Sequence, residues 1–142
     1  MEKKKALVID DEQIVLDSVR RILTEEEFDV ETTLSSRKGI ELALDNDYDI
    51  VLTDVRMPDI DGLTVVRGVK EAKPDIPVLV ITGYASVRSA VEAMKRGATD
   101  YVQKPFTPET LVTRVTSAID TAAAQQDQSK RLKGGIIDGS SA

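Results

Sequence analysis

The sequence contains no cysteine, no histidine and no tryptophan. Without cysteine there is no disulfide framework, no thiol nucleophile and no thiolate metal site. Without histidine the usual general base and most transition-metal sites are also excluded. Aromatic residues make up only 4% of the chain, so acid–base or metal chemistry must draw on carboxylates, lysine, tyrosine, hydroxyls or water. No apolar run approaches the length of a membrane-spanning helix. The opening Met1-Glu2-Lys3-Lys4-Lys5 is followed by only Ala6–Ile9 before Asp10 and Asp11, too short for the apolar region of a signal peptide. The expectation is a cytoplasmic protein with no membrane association.

What is present suits one ordinary domain. The 142 residues can bury a core without covalent staples, and 41% hydrophobic with 31% charged residues is a common globular balance. Nineteen basic against twenty-five acidic residues leave a net charge of −6. That sign repels a nucleic-acid backbone and argues against direct nucleic-acid binding by this segment.

Short apolar runs alternate with helical patterns. Ala6–Ile9, Phe28–Thr32, Asp49–Thr53, Val78–Ile81 and Thr99–Val102 read as strands. Helices are expected over 13–26, from Ser35 or Ser36 to Leu44, over 63–72, over 87–96 with Gly97 closing the end, and from Thr107-Pro108-Glu109 onward. Five strands alternating with five helices predict an α/β fold, a doubly wound sheet. The continuously apolar runs predict parallel strands covered on both faces. In such sheets ligands sit beyond the carboxyl ends of the strands. From about Gln125 the chain turns polar and then rich in glycine and serine, so 1–124 is expected to be the domain and 125–142 a frayed helix end and flexible tail or linker.

The strand ends carry the chemistry. The first ends in Asp10-Asp11, the third in Asp54 and the fourth in Thr82, while Tyr101 lies on the fifth with Lys104 just after. Each has a bland reading alone: a solvated turn, a cap or a surface lysine. Together they fall on one edge of the sheet. Like charges roughly 4 Å apart repel by several kcal/mol at intermediate dielectric, so three converging carboxylates call for a cation. An oxygen-only donor set suits a hard divalent ion, Mg²⁺ best. Metal and lysine beside a carboxylate suggest phosphoryl transfer to that carboxylate.

The set Asp10-Asp11-Glu12, Asp54, Met57-Pro58-Asp59, Asp61-Gly62, Thr82-Gly83, Tyr101 and Lys104-Pro105-Phe106 resembles the response-regulator receiver family over about residues 4–122. The resemblance implies a flavodoxin-like five-stranded sheet of order 2-1-3-4-5 and membership of a two-component system. It implies that Asp54 accepts a phosphoryl group from a sensor histidine kinase or phosphotransfer protein. Asp10, Asp11, Asp54 and the backbone carbonyl of Arg56 would hold Mg²⁺. Thr82 and Lys104 would meet phosphoryl oxygens, and Thr82 with Tyr101 would form the switch. The surface of the fourth helix, fifth strand and fifth helix would then control an output such as transcription. Arg56 and Tyr84 would tune the lifetime of the phosphoryl group. Asp100, Tyr101 and Arg114 would lie at the interface of a homodimer formed on phosphorylation. The Lys104–Pro105 peptide is expected to be cis, in the turn that returns Lys104 towards Asp54. Two alternatives stay open. One is a phosphate-independent interaction module on the same fold. The other is a Mg²⁺-dependent aspartyl-phosphate phosphatase, disfavoured because Arg56 stands where that class has a second aspartate.

Overall fold

The computed structural model describes residues 2–83 and 87–141, excepting the side chains at 87, 89 and 128–141. Five strands and five helices alternate: β1 Lys4–Ile9, α1 Gln13–Glu25, β2 Phe28–Thr33, α2 Ser36–Asp45, β3 Ile50–Thr53, α3 Gly62–Ala72, β4 Val78–Thr82, α4 Val87–Lys95, β5 Asp100–Gln103 and α5 Pro108–Ser141. All pairings are parallel and the order is β2-β1-β3-β4-β5. The expected doubly wound sheet is therefore the observed one.

Strand alternation sorts the core into two layers. Ala6, Val8, Ile50, Leu52, Leu79, Ile81 and Val102 face one side with Leu16, Val19 and Leu23 of α1 and Leu111 and Val115 of α5. Leu7, Ile9, Val51, Val78 and Val80 face the other, against Ala43 of α2, Val65, Val66 and Val69 of α3 and Ala93 of α4. Since successive side chains point to opposite faces, the covered central strands need apolar residues at consecutive positions, and Ala6–Ile9, Ile50–Leu52 and Val78–Ile81 supply them. β2 lies at an edge, and its residues after Phe28 are only partly covered or exposed.

Local chemistry sets the boundaries. Ser35 caps α2 by accepting from the Lys38 N–H at 3.2 Å, and Asp61 caps α3 by accepting from Leu63 N–H at 2.9 Å. Gly97 takes φ +108° after α4, as its place at the helix end predicts. One boundary differs from the sequence reading. The backbone of α5 stays helical to Ser141, past the change of composition at Gln125. Alanine and glutamine at 122–126 are good helix formers, and no proline follows them, so loss of apolar residues there does not end the helix.

Candidate functional site

Register brings the strand ends together. Ile9 pairs with Thr53 across β1 and β3, so Asp10 and Asp54 leave adjacent strands side by side. The Asp54 N–H donates to Ile9 O at 3.0 Å, and Asp10 N–H to Thr33 O at 3.2 Å. Thr53 pairs with Val80, and Thr82 with Gln103. Buried Thr82 therefore ends the strand lying between the Asp54 and Lys104 strands. Lys104 N–H donates to Thr82 O at 2.9 Å, anchoring the turn that carries the lysine. The Lys104–Pro105 peptide is cis, as expected.

From that turn the Lys104 ammonium reaches back over the sheet edge. It lies 2.8 Å from Asp10 Oδ2 and 2.9 Å from Asp54 Oδ2, with Glu12 Oε1 at 3.4 Å. Asp10 and Asp54 are 1% and 4% exposed, so little water screens these charges. Burial works to lower the Lys104 pKa, but the facing carboxylates of Asp10 and Asp54 outweigh it, leaving the lysine more basic than usual. Burial pushes the Asp10 carboxyl up, against the opposing pull of Lys104 and the Glu12 N–H.

The donor set fits a hard cation. Asp10, Asp11, Glu12 and Asp54 each offer a carboxylate oxygen, and these oxygens lie within 4.8 Å of one another. Four carboxylates against the Lys104 ammonium leave these five groups three positive charges short of neutrality. Among the described residues, buried Asp10 Oδ2 also has no directed hydrogen bond. Its 2.8 Å contact with Lys104 is ionic, so acceptor capacity remains for a metal ion. Asp11 faces a groove shared with Arg56 and Met57, while Glu12, Ile14, Lys104 and Phe106 line a second opening beside Asp54, of about 580 Å³.

Three residues acquire parts that the sequence reading did not assign. Glu12 joins both the carboxylate cluster and the lysine network. Gly62 lies against the backbone of Asp54: a Cβ there would fall 1.7 Å from Asp54 O, and the Gly62 N–H donates to Val55 O at 2.8 Å. Asp59 turns away from the cluster to hold the start of α2. It accepts from Ser35 Oγ at 2.8 Å, Arg37 N–H at 3.0 Å and Ser36 N–H at 3.2 Å. Of the outlying candidates, Tyr101 is 36% exposed on β5. Asp100 and Arg114 pair with each other at 2.8 Å within the chain. Tyr84 lies outside the described residues.

A profile of the response regulator receiver domain matches residues 6–116. The chain belongs to that family. As a receiver domain it is a component of two-component systems and not a classical enzyme. Response regulator SaeR of Staphylococcus aureus is 37% identical over 113 residues, which make up 80% of this chain and 49% of SaeR. The receiver thus spans about half the length of the curated relatives it matches. Among solved structures, a CheY-like receiver domain protein from Methanospirillum hungatei JF-1 superimposes with TM-score 0.83 at 27% identity. That match covers 87% of this chain and 99% of the other. The beryllofluoride-activated NtrC4 receiver domain dimer gives 0.79 at 35% identity, over 83% and 98%. No described helix of this receiver is long and apolar enough to cross a membrane.

Proposed function

We propose that this receiver accepts a phosphoryl group on Asp54 from a sensor histidine kinase or a phosphotransfer protein, in a Mg²⁺-dependent reaction. The observation that carries this reading is the buried Asp54 carboxylate, 2.9 Å from the Lys104 ammonium, inside a cluster of three further carboxylates. An Asp54 oxygen attacks the phosphorus in line, the bond from phosphorus to the donor breaks, and the donor leaves with the electron pair. Asp10, Asp11, Asp54 and the carbonyl of Arg56 would hold Mg²⁺, which supplies positive charge for the phosphoryl oxygens when bound. Lys104 is released from its carboxylates to pair with one oxygen, and Thr82 hydrogen-bonds another.

Phosphorylation adds nearly two negative charges and three strong acceptors at this edge. Movement of Thr82 towards them opens space for the Tyr101 ring, altering the α4–β5–α5 surface that governs an output such as transcription. Exposed Val91 and Met94 on α4 and the neighbouring Tyr101 support a homodimer through this face on activation, with the Asp100–Arg114 pair exchanging partners across it. NtrC4, whose activated receiver is a dimer, supports the same assignment. Arg56 and Tyr84 tune how long the phosphoryl group lasts. Residues 1–124 constitute the receiver unit, and 125–142 a C-terminal tail or linker.

The test is incubation with Mg²⁺ and a small acyl phosphate, read by intact mass. One phosphoryl group should add to the wild type, and none to Asp54→Asn or after chelation. A label that persists in Asp54→Asn and maps to a serine or threonine would falsify the assignment.

A further inference from the structure

The loop from β3 to α3 carries Arg56 and begins at Asp54, so its position bears on every group assigned to the cation. Its two ends are fixed by backbone contact, through Gly62 against Asp54 and Val55. Met57 and Ile60 pack on the core layer beneath α2 and α3. Between them stands Asp59, itself exposed. It forms no part of the carboxylate cluster. Its two oxygens instead take three donors from the first turn of α2. Those N–H groups have no partner within their own helix, so a carboxylate supplied by another segment satisfies them and meets the positive end of the helix dipole. The backbone N–H of Arg37, against some loss of hydration and reinforced by Ser35, Ile60 and Ser36, holds the Asp59 carboxyl well below the usual carboxylate range. The clamp is therefore charged throughout the physiological range.

We propose that Asp59 is a positioning residue of the cation site, tethering the Arg56 loop to the N-terminus of α2 and thereby coupling that helix end to ion binding at Asp54. This inference rests on the Mg²⁺ site proposed above. A loop fixed at its ends can still shift at its middle, and the Arg56 carbonyl lies only two residues from Asp54 and three from the tether. Ordering the loop for the ion orders the clamp, and by linkage the clamp favours the ion to the same extent.

The experiment is a Mg²⁺ titration of the full chain followed by amide NMR, with hydrogen exchange at Ser36 and Arg37 as a second readout. Asp59→Ala should raise the Mg²⁺ Kd by about tenfold, the lower end of what loss of an outer partner of a metal ligand does. In the wild type Mg²⁺ should slow exchange at Ser36 and Arg37, and in Asp59→Ala it should not. Asp59→Asn separates tethering from simple charge. It keeps an oxygen for the α2 donors, so the tether predicts a Kd within about threefold of wild type, whereas a long-range charge effect makes Asn as weak as Ala. Ser35→Ala, which removes the 2.8 Å donor, should weaken Mg²⁺ in the same direction and serves if Asp59→Ala does not fold. Ile22→Val, a small core truncation in α1, controls for lost stability and should leave the Kd unchanged. Equal Kd in wild type and Asp59→Ala, a Kd in Asn as poor as in Ala, or an equal rise in Ile22→Val overturns the tether alone. A wild type that binds no Mg²⁺ overturns the tether and the site reading together.

Discussion

At the scale of single residues, the sheet edge works against the stability of the fold. Asp10 is buried beside Asp54, and its raised pKa means that folding disfavours its charged form. The unfolded chain therefore holds fewer protons at this group than the native one. The penalty is absent below the ordinary Asp value of about 3.9, grows as pH rises from there to the shifted folded value, and is complete above it. Asp10→Asn keeps an oxygen for the Glu12 N–H at 3.0 Å while removing the charge. It should stabilise the ion-free protein by about 1 kcal/mol at neutral pH. The gain over wild type should vanish on acidification, and urea unfolding at several pH values measures both. Asp10, Asp54, Thr82 and Lys104 could be recognised in the sequence because each ends a strand or follows one directly. Gly62 and Asp59 could only be given turn chemistry. One is required by a close approach to Asp54 O and the other by a helix nearby in space, and neither contact is local in sequence.

At the scale of elements, periodicity located nine of the ten ends of the five helices to within a residue or two, because amphipathic faces and caps are written locally. The exception is the end of α5, where composition changed but helix propensity did not. The junction of α1 and β2 shows a local conflict. Glu27 sits at φ +65°, just after the helix-closing Glu26, in the left-handed conformation where glycine is favoured. A side chain there is held in a strained backbone for the sake of a tight return into Phe28. Glu27→Gly should stabilise the domain by about 0.5–1 kcal/mol, the strain relieved exceeding the added flexibility of the unfolded chain. Thermal unfolding checks it, and a loss of stability would show that the Glu27 side chain contributes more than its backbone costs.

At the scale of the molecule, four of the five strands converge on the site: β1 through Asp10, β3 through Asp54, β4 through Thr82 and β5 through the turn to Lys104. That convergence was legible once the sheet was parallel, since every strand then presents its carboxyl end at one edge. A cation bound there links elements that global unfolding separates, and the unfolded chain offers no comparable cluster. Mg²⁺ at about one hundred times its Kd should therefore stabilise the domain by about 2.7 kcal/mol, a rise in Tm of roughly 5–10 °C for a chain of this size. A net charge of −6 also makes the protein respond to salt through general screening, so NaCl at equal ionic strength is the necessary comparison. Asp10→Asn supplies the second. It should start from a higher Tm than wild type and gain little from Mg²⁺, because the substitution that relieves repulsion also removes a ligand. Calorimetry of both proteins under both salts gives four transitions. If NaCl reproduces the wild-type shift, or if Asp10→Asn responds as fully as wild type, the carboxylate edge is not a cation site. The charge shortfall around Lys104 would then be met by solvent.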